Sequence, residues 1–217
     1  MRKTLILVLG TLILAMSLQA CARTVRTTTD VPHKISPSYE VAVAPFTQPT
    51  NPSELIMGRI PEPQGPIVPE DLARLDTELR AILQQDSTRH YVFLKVPLKR
   101  PATSYHNSAQ PQALDAWVQY GRQNQAKLLL VPQIFTWYER NGSRAGVTTS
   151  AEVHAEFFLI RVDKGVVMHR TVFNEKQQAL TENLLKIGDF IKRKAAWITA
   201  TDLAKEGMVQ AKQEMGL

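Results

Sequence analysis

Thr148 to Phe173, TTSAEVHAEFFLIRVDKGVVMHRTVF, carries the clearest alternation in the chain. Ala151, Val153, Ala155, Phe157 and Leu159 point to one face and Glu152, His154 and Glu156 to the other, the period of two that a pleated strand imposes. Asp163-Lys164-Gly165 reads as a tight turn and Val166 to Phe173 as the returning strand. Pairing through that turn sets His169 near Leu159 or Ile160 and away from His154. The apolar face of such a hairpin has to be covered, while its Glu-His-Glu face reads as a solvated antiparallel surface.

Upstream, Lys127 to Tyr138 (KLLLVPQIFTWY) is long and apolar enough for a central strand, with Pro132 marking a bulge or an edge, and Asn141-Gly142 is a turn signal. Tyr39 to Phe46 and His90 to Val96 are shorter β-rich runs, each stopped by a proline. Leu72, Leu75, Leu79, Ile82 and Leu83 form one helical stripe opened by Glu70 and Asp71 at the positive end of the helix dipole. Pro111 to Gly121 predicts a second helix presenting Leu114, Trp117 and Val118.

Downstream, Leu180, Leu184, Ile187 and Ile191 predict a helix over Leu180 to Ile198. The Thr199-to-Asp202 spacing then caps a last helix presenting Leu203, Met208, Ala211 and Met215. Strand, helix, strand, helix, three strands and two helices make a mixed α/β fold, a sheet of about five strands with amphipathic helices packed against it and C-terminal helices closing the chain. Residues 47–69 stand out by six prolines and two glycines, which predicts an irregular insertion, either a surface excursion or a functional loop, with Leu55, Ile56 and Met57 apolar enough to dock.

The 217 residues are 44% hydrophobic and 21% charged, the balance of a globular protein. They open on a basic Met1-Arg2-Lys3 and an apolar stretch, Thr4 to Met16, too short for a comfortable membrane span. Leu18-Gln19-Ala20-Cys21 follows and resembles the bacterial lipobox. The resemblance implies cleavage before Cys21, acylation of that cysteine with diacylglycerol and palmitate-type chains, and a lipid anchor that is stable once two or more chains are attached. Ala22 after the cysteine implies the outer membrane, periplasmic face.

The rival cut at Ala20-Cys21-Ala22 releases a soluble periplasmic protein but leaves the sole cysteine as a stray thiol. The expected organisation is a signal peptide at 1–20, a lipidated tether at 21–38 and one periplasmic domain at 39–217. The formal charge of +6 suits an anionic envelope surface or an acidic protein partner, and export argues against nucleic acid.

No nucleophile elbow, phosphate-cradling glycine loop or paired metal-ligand spacing is present in the sequence, so no catalytic residue, metal or cofactor is assigned. Lys192, Arg193 and Lys194 beside Trp197 form the one basic-aromatic segment suited to an anionic partner or surface, the duller alternative being a solvated helix end with Trp197 in the core. Trp117 and Trp137 read as core.

The lipobox and tether, the V-A-V-x-P-F strand, the amphipathic helix, the L-L-L-V-P-Q strand and the closing meander and helix resemble the periplasmic domains of curli-secretion-channel, TolB-N-terminal-like and penicillin-binding-protein-activator lipoproteins. That resemblance implies a non-enzymatic accessory or adaptor in envelope assembly or transport, working through protein contacts, and leaves homo-oligomerisation open. A peptidoglycan-binding module using Lys192 to Trp197, or an envelope hydrolase using Glu152, His154 and Glu156, are the readings of other classes.

Overall fold

A computed structural model describes residues 35–85, 87–98, 112–143, 146–177 and 197–217. The expected signal peptide, Cys21, most of the expected tether, the expected Leu180 to Ile198 helix as far as residue 196, and with it Lys192, Arg193 and Lys194, lie outside these residues; Trp197 and Ile198, at its end, are described and are not helical. The elements are β1 (Val41–Val43), α1 (Pro69–Gln84), β2 (Tyr91–Phe93), α2 (Ala113–Gln123), β3 (Leu128–Tyr138), β4 (Asn141–Gly142), β5 (Val147–Thr149), β6 (Glu152–Arg161), β7 (Val166–Lys176) and α3 (Ala200–Met215).

The main sheet has the order β2-β1-β3-β6-β7. β1 pairs in parallel with β2 and β3, and β3, β6 and β7 form an antiparallel meander. The mixed α/β class, the sheet of five strands and the C-terminal helix agree with the sequence expectation.

Helices cover both faces of that sheet. Leu75, Leu79 and Leu83 of α1 and Leu203, Met208, Ala211 and Met215 of α3 bury one face against Val153, Ala155, Phe157 and Leu159. Trp117, Val118 and Tyr120 of α2 bury the other against Leu129, Val131, Phe158 and Ile160. Trp137 is core, as expected.

α1 starts on Pro69, whose missing N–H lies among the donors a first turn leaves unpaired. Its last turn is closed by Lys212 Nζ of α3, which donates to the Ile82 and Gln85 carbonyls at 2.8 and 2.6 Å. α3 is capped as its sequence predicts, Thr199 Oγ1 accepting from the Asp202 N–H at 3.1 Å, and it ends on a left-handed Gly216. Gly207 lets α3 approach the sheet, since a Cβ there would stand 2.6 Å from the Phe173 ring.

Three expectations are corrected. The run Tyr39 to Phe46 pairs only as Val41–Val43. Pro132 supplies the reason: its carbonyl accepts from the Thr47 N–H, so its N–H-less nitrogen faces the same side, where the next rung to β1 would form. The alternating run before the Asp163-Lys164-Gly165 turn, read as one strand over Thr148 to Val162, is two strands, because Val147–Thr149 leaves the main sheet to pair with Asn141–Gly142 and only Glu152–Arg161 stays in it. Asn141 and Gly142 are therefore strand residues and not the turn itself.

Where the described domain begins, the buried Arg89 guanidinium donates to the carbonyls of Ile35, Ser36, Tyr39 and Gly216. A delocalised cation with a planar fork of donors can serve several carbonyls at once, a task an ammonium point charge performs less well.

Candidate functional site: a roofed polar cluster

β1 is flanked by β2 and β3, and the helices leading to them lie on opposite faces. This places a topological switch at the carboxyl ends of β1 and β3, where open α/β sheets leave a crevice. Here the proline-rich insertion fills it. Thr47 bridges Gln133 in parallel register, Leu55 and Ile56 are buried, and the Leu55 carbonyl accepts from the Ala113 N–H at the start of α2. Gln48 ties the two arms of the loop, donating to the Gly65 carbonyl at 2.8 Å and accepting from the Ile67 N–H at 3.1 Å. Leu55 and Ile56 dock as their apolarity predicts, and Met57 stays exposed.

Beneath this roof the expected solvated Glu-His-Glu surface is overturned. Glu156 is buried, with its side chain only 3% exposed, and Arg170 grips both its oxygens, Nε to Oε2 and Nη2 to Oε1, each at 2.8 Å. His154 stacks on Phe135, ring centroids 5.0 Å apart, with Nε2 3.3 Å from Glu156 Oε1. Gln133, opposite Glu156 in register, donates to the Glu54 carbonyl at 3.2 Å. Gly58 passes over the pair, where a Cβ would stand 3.3 Å from Arg170 Nη2. Glu152 lies further out, 3.3 Å from Lys176 Nζ.

A single extra residue assembles the cluster. β6 and β7 start in register as Arg161 with Val166 and Ile160 with Val167, which carried onward would oppose Arg170 to Phe157 on the other face. The bulge at Met168 moves the register by one, so that His169 meets Leu159, one of its two expected neighbours, and Arg170 meets Phe158, diagonal to Glu156. The sequence left the register open by one residue, Leu159 or Ile160 for His169, and with it the face on which Arg170 lies.

Burial pushes the Glu156 carboxyl upward, but His154 and Arg170 outweigh it and hold it below its ordinary 4.5, while the same pairing raises Arg170. An acid with a lowered native pKa stabilises the fold above its ordinary value, and this contribution is lost as pH falls through the lower native one. Breaking a buried pair costs about 3–5 kcal/mol, which the part-exposed Arg170 reduces to about 2 for Glu156→Gln at neutral pH. Thermal melts should show that loss at pH 7 and a flatter decline in acid than wild type; equal slopes would remove Glu156 from the acid response.

Among the described residues no three His, Cys, Asp or Glu side chains converge on a metal position. An open groove of about 440 Å³ runs between the ends of α1 and α3, and a hollow of about 210 Å³ lies beside Asp76, Arg80 and Phe93. Neither gathers a set for bond-making chemistry. Asp76 is raised by burial against the opposing Phe46 N–H and Arg80. No described helix is long and apolar enough to cross a membrane. Of the basic-aromatic segment, only Trp197 is described, and it is half-buried.

No family model and no curated protein matches the chain. Among solved structures, it is similar to the PelC dodecamer from Paraburkholderia phytofirmans, at 12% identity and TM-score 0.47, covering 84% of this chain and 91% of that one. It is similar to lipoprotein GNA1162 from Neisseria meningitidis, at 10% identity and TM-score 0.37, covering 72% and 98%. TolB from Acinetobacter baumannii is similar at 13% identity and TM-score 0.25, covering 79% and 28%. These similarities are distant and assign no specific family.

Proposed function

We propose that this chain is a lipid-anchored lipoprotein on the periplasmic face of the outer membrane, a non-enzymatic adaptor in envelope assembly or transport that presents its α/β domain to protein partners. The observation that carries the reading is Leu18-Gln19-Ala20-Cys21, an apolar leader ending on the sole cysteine, followed by a polar tether. The adaptor part is supported by how the buried polar cluster is arranged: Glu156 and Arg170 are engaged with each other beneath a packed roof, an arrangement that fixes a surface.

Acyl chains contribute about 0.8 kcal/mol per buried methylene, so the domain itself needs no affinity for lipid. Mass spectrometry of the mature amino terminus should find diacylglycerol in thioether linkage at Cys21. A Cys21→Ala variant should stay folded and leave the membrane pellet. Retention of that variant in the pellet, or a bare peptide terminus in the wild type, refutes the anchor.

A further inference from the structure

β7 is an edge of the main sheet, eleven residues long, and its outer side pairs with no described strand. Long edges with unpaired backbone groups invite strand addition unless charges, bulges or covers blunt them. Val166, Met168 and Val172 of β7 are exposed, three of the eight large exposed hydrophobics among the described residues. The Met168 bulge creates part of this surface: in unshifted register Val172 would face the core opposite Ala155, and Phe173 takes that place.

The charges on this side are asymmetric in depth. Glu156 is 3% exposed and its partner Arg170 36%; Glu152 is 30% exposed and its partner Lys176 58%. The pairs are formally neutral, yet each buries more of its carboxylate and presents more of its cation. Arg170 is held by two bonds to Glu156 that engage Nε and Nη2 and do not involve Nη1, and its side chain stays 36% exposed. A fixed arginine with an exposed valine, Val172, two residues along the same face has the composition of an interface centre.

We propose that the outer edge of β7 is a docking site for an extended protein segment in which carboxylates alternate with apolar residues, added as a further strand with a carboxylate on Arg170. The proposal rests on the adaptor reading above and names the chemistry of its partner. Main-chain bonds would supply affinity, and Arg170, Lys176 and Val172 would select the sequence.

The test uses the full-length acylated protein in detergent micelles and two fluorescent ten-residue peptides, one alternating valine with aspartate and glutamate, the other valine with asparagine and glutamine. The acidic peptide should bind, more weakly as salt rises, and should protect the β7 amides from hydrogen exchange. Val172→Asp should reduce its affinity about tenfold or more, a loss of about 1.4 kcal/mol or more, while Val96→Asp, also exposed but just past β2 at the opposite edge, should not change it.

Equal binding of the uncharged peptide, no effect of Val172→Asp, or no binding at all overturns the proposal. A self-associated protein that Val172→Asp makes monomeric, without peptide binding, assigns the edge to a second copy and equally overturns it. Any of these failures leaves the Cys21 fractionation result standing, so the two readings fall separately.

Discussion

Replacing Arg89 by Met lowers the melting temperature by roughly 6–12 °C, the shift that a loss of about 3 kcal/mol produces in a domain of this size. The guanidinium holds four backbone carbonyls, from Ile35, Ser36, Tyr39 and Gly216. Bonds to a charged donor contribute about 1.5–3 kcal/mol each in isolation, but four sharing one side chain are far from additive. Methionine keeps much of the volume, so the measured loss reports the bonds and not a cavity. Lysine at the same position should recover less than half of the loss, because one ammonium cannot reach all four carbonyls. Circular-dichroism melts of the three proteins check this, and a melting temperature within about 2 °C of wild type for the methionine variant contradicts it.

Gly65→Ala should release the proline-rich roof. Gly65 has φ +61°, a left-handed backbone that costs an alanine about 1–2 kcal/mol, and its Cβ would stand 2.4 Å from the Trp137 carbonyl and 2.9 Å from the Tyr138 ring. Overpacking against a strand backbone adds about 1–3 kcal/mol, so the loop should lift away before the sheet yields. The reporters are local. The Trp137 N–H donates to the Gln64 carbonyl at 3.3 Å and the Ile67 N–H to Gln48 at 3.1 Å, and both should lose hydrogen-exchange protection, while α3 keeps its own. Gly146→Ala, where nothing stands within 4 Å of the added methyl, should change neither. Unchanged protection in Gly65→Ala would show that the roof does not depend on this close approach.

Legibility in the sequence followed the range of the physics involved. α1, α3 and the β6–β7 hairpin are written in period, cap and turn, interactions that span a few residues: Leu75, Leu79 and Leu83 fall on one stripe, Thr199 caps α3, and the chain reverses at Asp163-Lys164-Gly165 between β6 and β7. The candidate site was half visible. Glu152, His154 and Glu156 share a face by alternation alone, but that face is closed by residues distant in sequence. Arg170 reaches Glu156 only through the Met168 bulge, and alternation carries no mark of where a bulge will fall.

The insertion hid its packing for a related reason. Prolines and glycines announce that no regular element forms, yet Gln48, Gln64 and Gly65 give the loop a fixed course through contacts with the chain's own backbone, which have no periodic signature. Pro132 was readable as an interruption. That the interruption lies on the β1 side depends on which way its carbonyl points, and this is decided only when Thr47 arrives beside it.

The Arg89 clasp makes the polypeptide path of the domain almost circular, because Ile35 and Gly216 are held by the same guanidinium. A ring has no intrinsic first element, so the order in which the strands are synthesised is separable from the order in which they lie. A short linker could close that seam and a new opening could be cut at the Asp163-Lys164 tip, with the sheet neighbours left as they are.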